Sequence, residues 1–218
     1  MRVIKPSGTC FLNIGDSYAR AGGSTDNTAL TRNRELKHMT TAQRRMCKLS
    51  DGLKDKDLCM IPNRLAIRLQ DAGWWVRSEI IWHKPNAMPF SGSDRPGSAH
   101  EKIWLLTKQK KYDWDKDAVR EASGAVLRNV WTIPLVPYPG EHDAIFPIAL
   151  AERAIALGCP VGGYVLDPFG GAGTTAVAAL RGHRHSHLIE LNPVYALQAK
   201  KRLLEEATLG ILTDGFIA

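Results

Sequence analysis

Residues 164–190 constrain this chain more than any other segment. Tyr164-Val165-Leu166 reads as a short buried strand, residues 167–173 as a glycine-rich loop, and Thr174 to Arg181 as a helix closed by Gly182. A second strand follows at residues 187–190, and Pro193 opens a helix predicted to reach about Ala207. Strand, helix and strand at this spacing form a βαβ unit, whose two strands must run parallel because the helix carries the chain back. An amphipathic helix precedes it at residues 148–157, with Gly158 as its expected stop. The class is therefore α/β.

Upstream, Pro6-Ser7-Gly8 makes a turn into a strand at residues 9–14. Pro62 begins a helix that ends near Gly73, residues 74–84 are strand-like until Pro85, and residues 102–107 form another buried strand. With 218 residues and 44% hydrophobic content the chain is sized for one domain, spanning 1–218. No apolar run approaches the roughly 18 residues of a membrane span, and the first residues lack the pattern of a secretory leader. Cys10, Cys47, Cys59 and Cys159 form no C-x-x-C pair and read as reduced thiols, so the expected location is the cytoplasm.

The net charge of +7 lies entirely in the first two thirds. Within a polar excursion over residues 19–60 it is densest from Arg32 to Lys48, where Arg32, Arg34, Lys37, Arg44, Arg45 and Lys48 stand against one acid, Glu35. A charge run alone is usually a solvated face; a long excursion from a compact domain is also a common place for function. A polyanionic partner is the functional expectation.

The chemistry concentrates in Asp167-Pro168-Phe169-Gly170-Gly171-Ala172-Gly173-Thr174-Thr175. Glycines between strand and helix admit a ligand where a side chain would collide, and residues 171–176 fit the G-x-G-x-x-G/A pattern of dinucleotide sites. Glu190, at the next strand's end, is placed to accept ribose hydroxyls. Asp167 separates the ligand classes, because a carboxylate at the loop mouth repels a pyrophosphate. It suits S-adenosylmethionine, which carries a sulfonium and an ammonium and no phosphate. The plainer alternative makes Asp167 a cap or turn residue.

DPFGGAGTT followed by HLIELNP resembles the cofactor motifs of amino-group DNA methyltransferases, in the N4-cytosine/N6-adenine class with permuted (beta-type) motif order. GTCFLNIGDSYA, GWWVRSEIIWHKPNAMP, HEKIWLLTKQKKYDWD and VWTIPLVPYPGEHDAIFPIALAERAI resemble segments of that family in the same order. The resemblance implies a Rossmann-like S-adenosylmethionine-dependent methyltransferase fold, a mostly parallel sheet with one reversed hairpin. Its cofactor unit spans 141–207, with Asp167, Phe169, Gly171, Gly173, Thr174 and Glu190 at the cofactor and Phe146 and Pro147 walling the pocket. It further implies methyl transfer to the exocyclic amine of a base flipped from double-stranded DNA. The basic excursion and Lys84 become candidate DNA contacts, and a restriction endonuclease or a complementing chain becomes a candidate partner. No metal is expected.

One element of the pattern does not occur. The family's Asp, Asn or Ser followed by Pro-Pro-Tyr or Pro-Pro-Trp, which clamps the target amine, is absent from the 218 residues. The catalytic residues are therefore unknown, and the fold is expected to be incomplete at its N-terminal side. A truncated gene, a split enzyme and a degenerate remnant compete as explanations; truncation is favoured, since losing an interior strand strands buried backbone groups.

Weaker signals have plain readings. Trp74, Trp75, Trp104, Trp114 and Trp131 are expected in packing, and Trp82 either in the core or at DNA. His183, His185 and His187 are expected on one side of a strand, and Asp16 in a turn or a pocket wall.

Overall fold

The computed structural model describes residues 2–19, 52–90, 92–136 and 146–214, with side chains up to residue 208. Cα proximity divides the chain into residues 14–68 and the remainder.

In the smaller unit, Tyr18 and Leu58 form an antiparallel bridge, and the Cys59 N–H donates to the Ser17 carbonyl at 2.8 Å. Asp16 has a plain task here. Its Oδ1 accepts from the Ile61 N–H at 3.1 Å, capping helix α1 (Ile61–Asp71).

The larger unit holds two sheets. Strands β1 (Thr9–Ile14), β2 (Trp75–His83), β3 (His100–Thr107) and β4 (Val130–Thr132) lie in the order β1-β3-β2-β4. The β2–β3 pair is antiparallel, the expected reversed hairpin, whereas β2 and β4 are parallel. Pro85 has no N–H for a ladder, and the chain leaves β2 just before it. The second sheet pairs β5 (Tyr164–Asp167) with β6 (His185–Leu188) in parallel, as the βαβ reading required. β4 has no sequence signature, since three residues carry no alternation to detect.

Helix α2 (Ile148–Gly158) lies against both sheets. Its Leu150 and Leu157 join Ile80, Trp82, Ile103, Leu105, Trp131 and Ile133 in one apolar cluster. Its Ala151 and Ile155 pack with Ala178 and Ala179 of helix α3 (Thr174–Arg181) in a second, alongside Val165. Gly158 does not end the helix as a left-handed cap. The capping residue is Cys159 in extended conformation, and Gly158 is required by proximity: a Cβ there would fall 2.3 Å from Thr9 Oγ1 and 2.7 Å from the Phe11 ring. Helix α4 (Pro193–Asp214) runs seven residues beyond the predicted end. Arg181 ties the helices together, donating to Glu206 on α4 at 2.5 Å and 3.0 Å and lying 3.6 Å from Glu152 on α2.

The histidine reading needs correction. β6 starts two residues earlier than predicted, with Tyr164 opposite His185 and Leu166 opposite His187. His183 sits in the preceding turn with φ 56°. Only His185 and His187 share a face, where both rings stack on Tyr164 at 4.7 Å and 5.8 Å. The tryptophans divide similarly. Trp82, Trp104 and Trp131 are buried, and the Trp82 indole N–H donates to the Ile133 carbonyl at 2.8 Å, while Trp75 and Trp114 stay partly exposed.

Candidate cofactor-binding site

The candidate site is the turn between β5 and α3, and specific contacts hold its backbone. Gly170 comes first. Its N–H donates to the Ile189 carbonyl at 2.9 Å, and a Cβ would fall 2.9 Å from that of Leu188, so only glycine lets the loop lie this close to β6. The Gly173 N–H returns to the Gly170 carbonyl at 2.9 Å, closing a four-residue turn. Gly171 (φ 51°) and Gly173 (φ 82°) occupy the left-handed region. Gly173 is also the N-cap of α3 and provides no side-chain cap.

Two carboxylates hold this turn. Asp167, the last residue of β5, accepts from the Phe169 N–H at 2.9 Å and from the Thr175 hydroxyl at 2.5 Å. The plain alternative is therefore visible: Asp167 does shape the turn, and its charge stays at the loop mouth while doing so. Glu190 lies just beyond β6, not within it, and accepts from the Gly171 N–H and the Asn192 N–H, each at 2.8 Å. Two negative charges beside one helix N-terminus disfavour a diphosphate and favour a cation. Phe169 is 84% exposed at the turn's rim, whereas Thr174 is 4% exposed.

The remaining sequence candidates lie outside the turn itself. Pro147 is buried, with the extended backbone that precedes α2, and Phe146 packs into both apolar clusters. Lys84 is ion-paired with Glu101 and lies 4.4 Å over the Trp82 ring. With His83 and Arg95 it lines a cavity of about 380 Å³ under the loop joining β2 and β3. Arg32, Arg34, Lys37, Arg44, Arg45 and Lys48 lie outside the described residues.

Sequence reasoning missed Gly170, Thr175, Asn192 and Arg202. The first two stand inside the motif and were legible by position. Asn192, whose side chain accepts from the Val194 N–H at 2.9 Å, carried an N-cap signal ahead of Pro193. Arg202 carried none.

A glycine turn at the C-terminal end of parallel strands is where α/β proteins receive nucleoside cofactors, and the two flanking acids suit a cationic one. The comparisons narrow this class. The N6/N4 family model described as DNA methylase matches residues 1–201. The chain is 45% identical over 209 residues to the Type II methyltransferase M.SmaI of Serratia marcescens, covering 93% of this chain and 70% of that one. It is 43% identical to M.Cfr9I of Citrobacter freundii, covering 95% and 68%. Among solved structures, a putative DNA modification methylase of Thermus thermophilus complexed with S-adenosyl-L-methionine superposes with TM-score 0.61 at 26% identity, covering 94% of this chain and 72% of that one. PvuII DNA methyltransferase (cytosine-N4-specific) shares the fold at TM-score 0.67 and 19% identity, covering 94% and 70%. The chain belongs to the N6/N4 DNA methylase family: it is an S-adenosylmethionine-dependent DNA N-methyltransferase of Rossmann-like fold.

Proposed function

We propose that this chain is the cofactor-binding and DNA-binding part of a Type II, site-specific methyltransferase. It acts on the exocyclic amine of adenine (N6) or cytosine (N4) in a base flipped from the duplex. The observation that carries the cofactor half is the pair of carboxylates on the glycine turn. Bound there, S-adenosylmethionine supplies an electrophilic methyl group on a cationic sulfur. Asp167 keeps negative charge beside that cation, Glu190 accepts from the ribose hydroxyls, and Phe169 covers the turn from the solvent side. Phe146 and Pro147 support the pocket from the start of α2. The whole works as one methyltransferase domain in the cytoplasm, with a restriction endonuclease as companion.

The 218 residues contain no amine clamp, and β1 and β5 each have an edge unpaired among the described residues. We therefore expect cofactor uptake with little turnover. Calorimetry should detect S-adenosylmethionine binding, while labelled methyl transfer to duplex DNA should run far below the rate of the Serratia enzyme. A comparable rate overturns the low-activity reading, and no heat of binding overturns the cofactor site. A segment bearing the missing tetrad, added in cis or trans, should restore turnover. If it does not, the chain is a binding remnant. Nucleoside analysis of the product then distinguishes N6-methyladenine from N4-methylcytosine.

DNA contact falls to Arg32, Arg34, Lys37, Arg44, Arg45 and Lys48, with Lys84 beside the β2–β3 loop. Neutralised phosphates release counterions, so affinity for duplex DNA should fall by about 10³-fold or more between 50 and 200 mM salt if six phosphates are engaged. A flat salt response removes this assignment.

A further inference from the structure

The glycine turn is held from two sides. Asp167 and Glu190 grip it from the strand ends, and helix α4 forms its back wall. Ala199 of α4 is 5% exposed and sits so close to Gly173 that a Cβ on the glycine would fall 2.9 Å from that of Ala199. One turn further along, Arg202 Nη1 donates to Thr174 Oγ1 at 3.1 Å and reaches the Ala172 carbonyl at 3.4 Å. Both target residues are buried, at 4% and 3% exposure.

The peptide plane between Ala172 and Gly173 is thereby fixed at both ends. Its carbonyl faces Arg202, and its N–H, opposed across a trans peptide, donates to the Gly170 carbonyl at 2.9 Å. Glycine-rich backbone has the most conformational freedom to lose, so a turn carrying Gly170, Gly171 and Gly173 needs outside contacts to keep one shape. No side chain caps α3 from its N-cap position. Arg202 supplies a charged contact at the first residue of that helix, from a position 28 residues downstream of Thr174.

We propose that Arg202 is a positioning residue for the cofactor turn, setting the Ala172–Gly173 peptide and the Thr174 hydroxyl in the geometry that receives S-adenosylmethionine. The assignment rests on the cofactor site proposed above. Arg202 reaches the turn from helix α4 and acts through it.

The test is calorimetric binding of S-adenosylmethionine to the 218-residue chain and to Arg202→Met, Arg202→Lys, Thr174→Val and the Arg202→Met/Thr174→Val double variant. Losing a charged hydrogen-bond donor should weaken binding about tenfold in Arg202→Met. Arg202→Lys should recover most of that loss. The double variant should lose less than the sum of the two single losses, because the Arg202–Thr174 contact is common to both. Amide exchange at Gly173 should accelerate in Arg202→Met while the melting temperature of the unliganded chain stays close to the parent value. Lys201→Met, on the exposed side of α4, is the control.

An unchanged affinity in Arg202→Met, additive losses in the double variant, or a loss seen only alongside a large fall in melting temperature overturns the proposal. If Arg202→Met does not fold, Arg202→Gln, which removes the charge and keeps most of the stem, is measured the same way: weaker binding with faster Gly173 exchange supports the proposal, and no change overturns it. Failure of the parent chain to bind is a different result, and it defeats the cofactor site itself.

Discussion

Glu190→Ala is expected to weaken S-adenosylmethionine binding by about 100-fold or more, equivalent to about 2.7 kcal/mol. Two losses combine. The acceptor assigned to the ribose hydroxyls disappears, and the Gly171 and Asn192 N–H groups, each now 2.8 Å from the carboxylate, lose their shared partner. A hydrogen bond to a charged group contributes about 1.5–3 kcal/mol, so either loss alone is large. Because Glu190 is part-buried rather than enclosed, water can reach the two orphaned groups, and the fold should survive with a modest fall in stability. Glu190→Gln keeps one acceptor oxygen and should fall between parent and alanine. Calorimetry on the three proteins decides the matter: an alanine variant binding within about threefold of the parent would separate Glu190 from the cofactor altogether.

The largest effect on stability is expected at Trp131. Its ring is 1% exposed on β4, 6.4 Å from Phe11, with the Arg153 guanidinium 5.5 Å from its centroid and its indole N–H donating to the Arg128 carbonyl at 3.0 Å. Trp131→Ala empties a site joined to two strands and α2, and large-to-small changes of this kind cost about 3–5 kcal/mol. For a domain of this size the melting temperature should drop by on the order of 10 °C. Trp131→Phe should recover more than half of the fall. Thermal unfolding followed by circular dichroism measures both, and a drop under about 3 °C for the alanine variant would mean that β4 is not part of the core.

The glycine turn and the βαβ unit were legible because backbone chemistry dictates both. Glycine, the strand before it and the small-residue helix after it are local features, and the family motifs are equally local. The roles of the residues were less legible. The sequence displays the charge of Asp167, but not that its two oxygens are occupied by the Phe169 N–H and the Thr175 hydroxyl. Gly158 has the position of a helix stop, when what demands glycine is the close approach of Thr9 and Phe11, roughly 150 positions earlier in the chain. His183 looks like the first of an alternating set, but strand register depends on the partner strand, and pairing with Tyr164 begins at His185. Arg202 was invisible because nothing in a helix sequence reports which loop its outer turns touch. Local propensity wrote the elements; long-range contact assigned their duties.

Phe146 packs against the apolar cluster beneath the four-stranded sheet and against the one beside the glycine turn alike. Phe146 thereby joins the two clusters through hydrocarbon contact, a linkage that ionic strength cannot screen and that pH cannot unlatch.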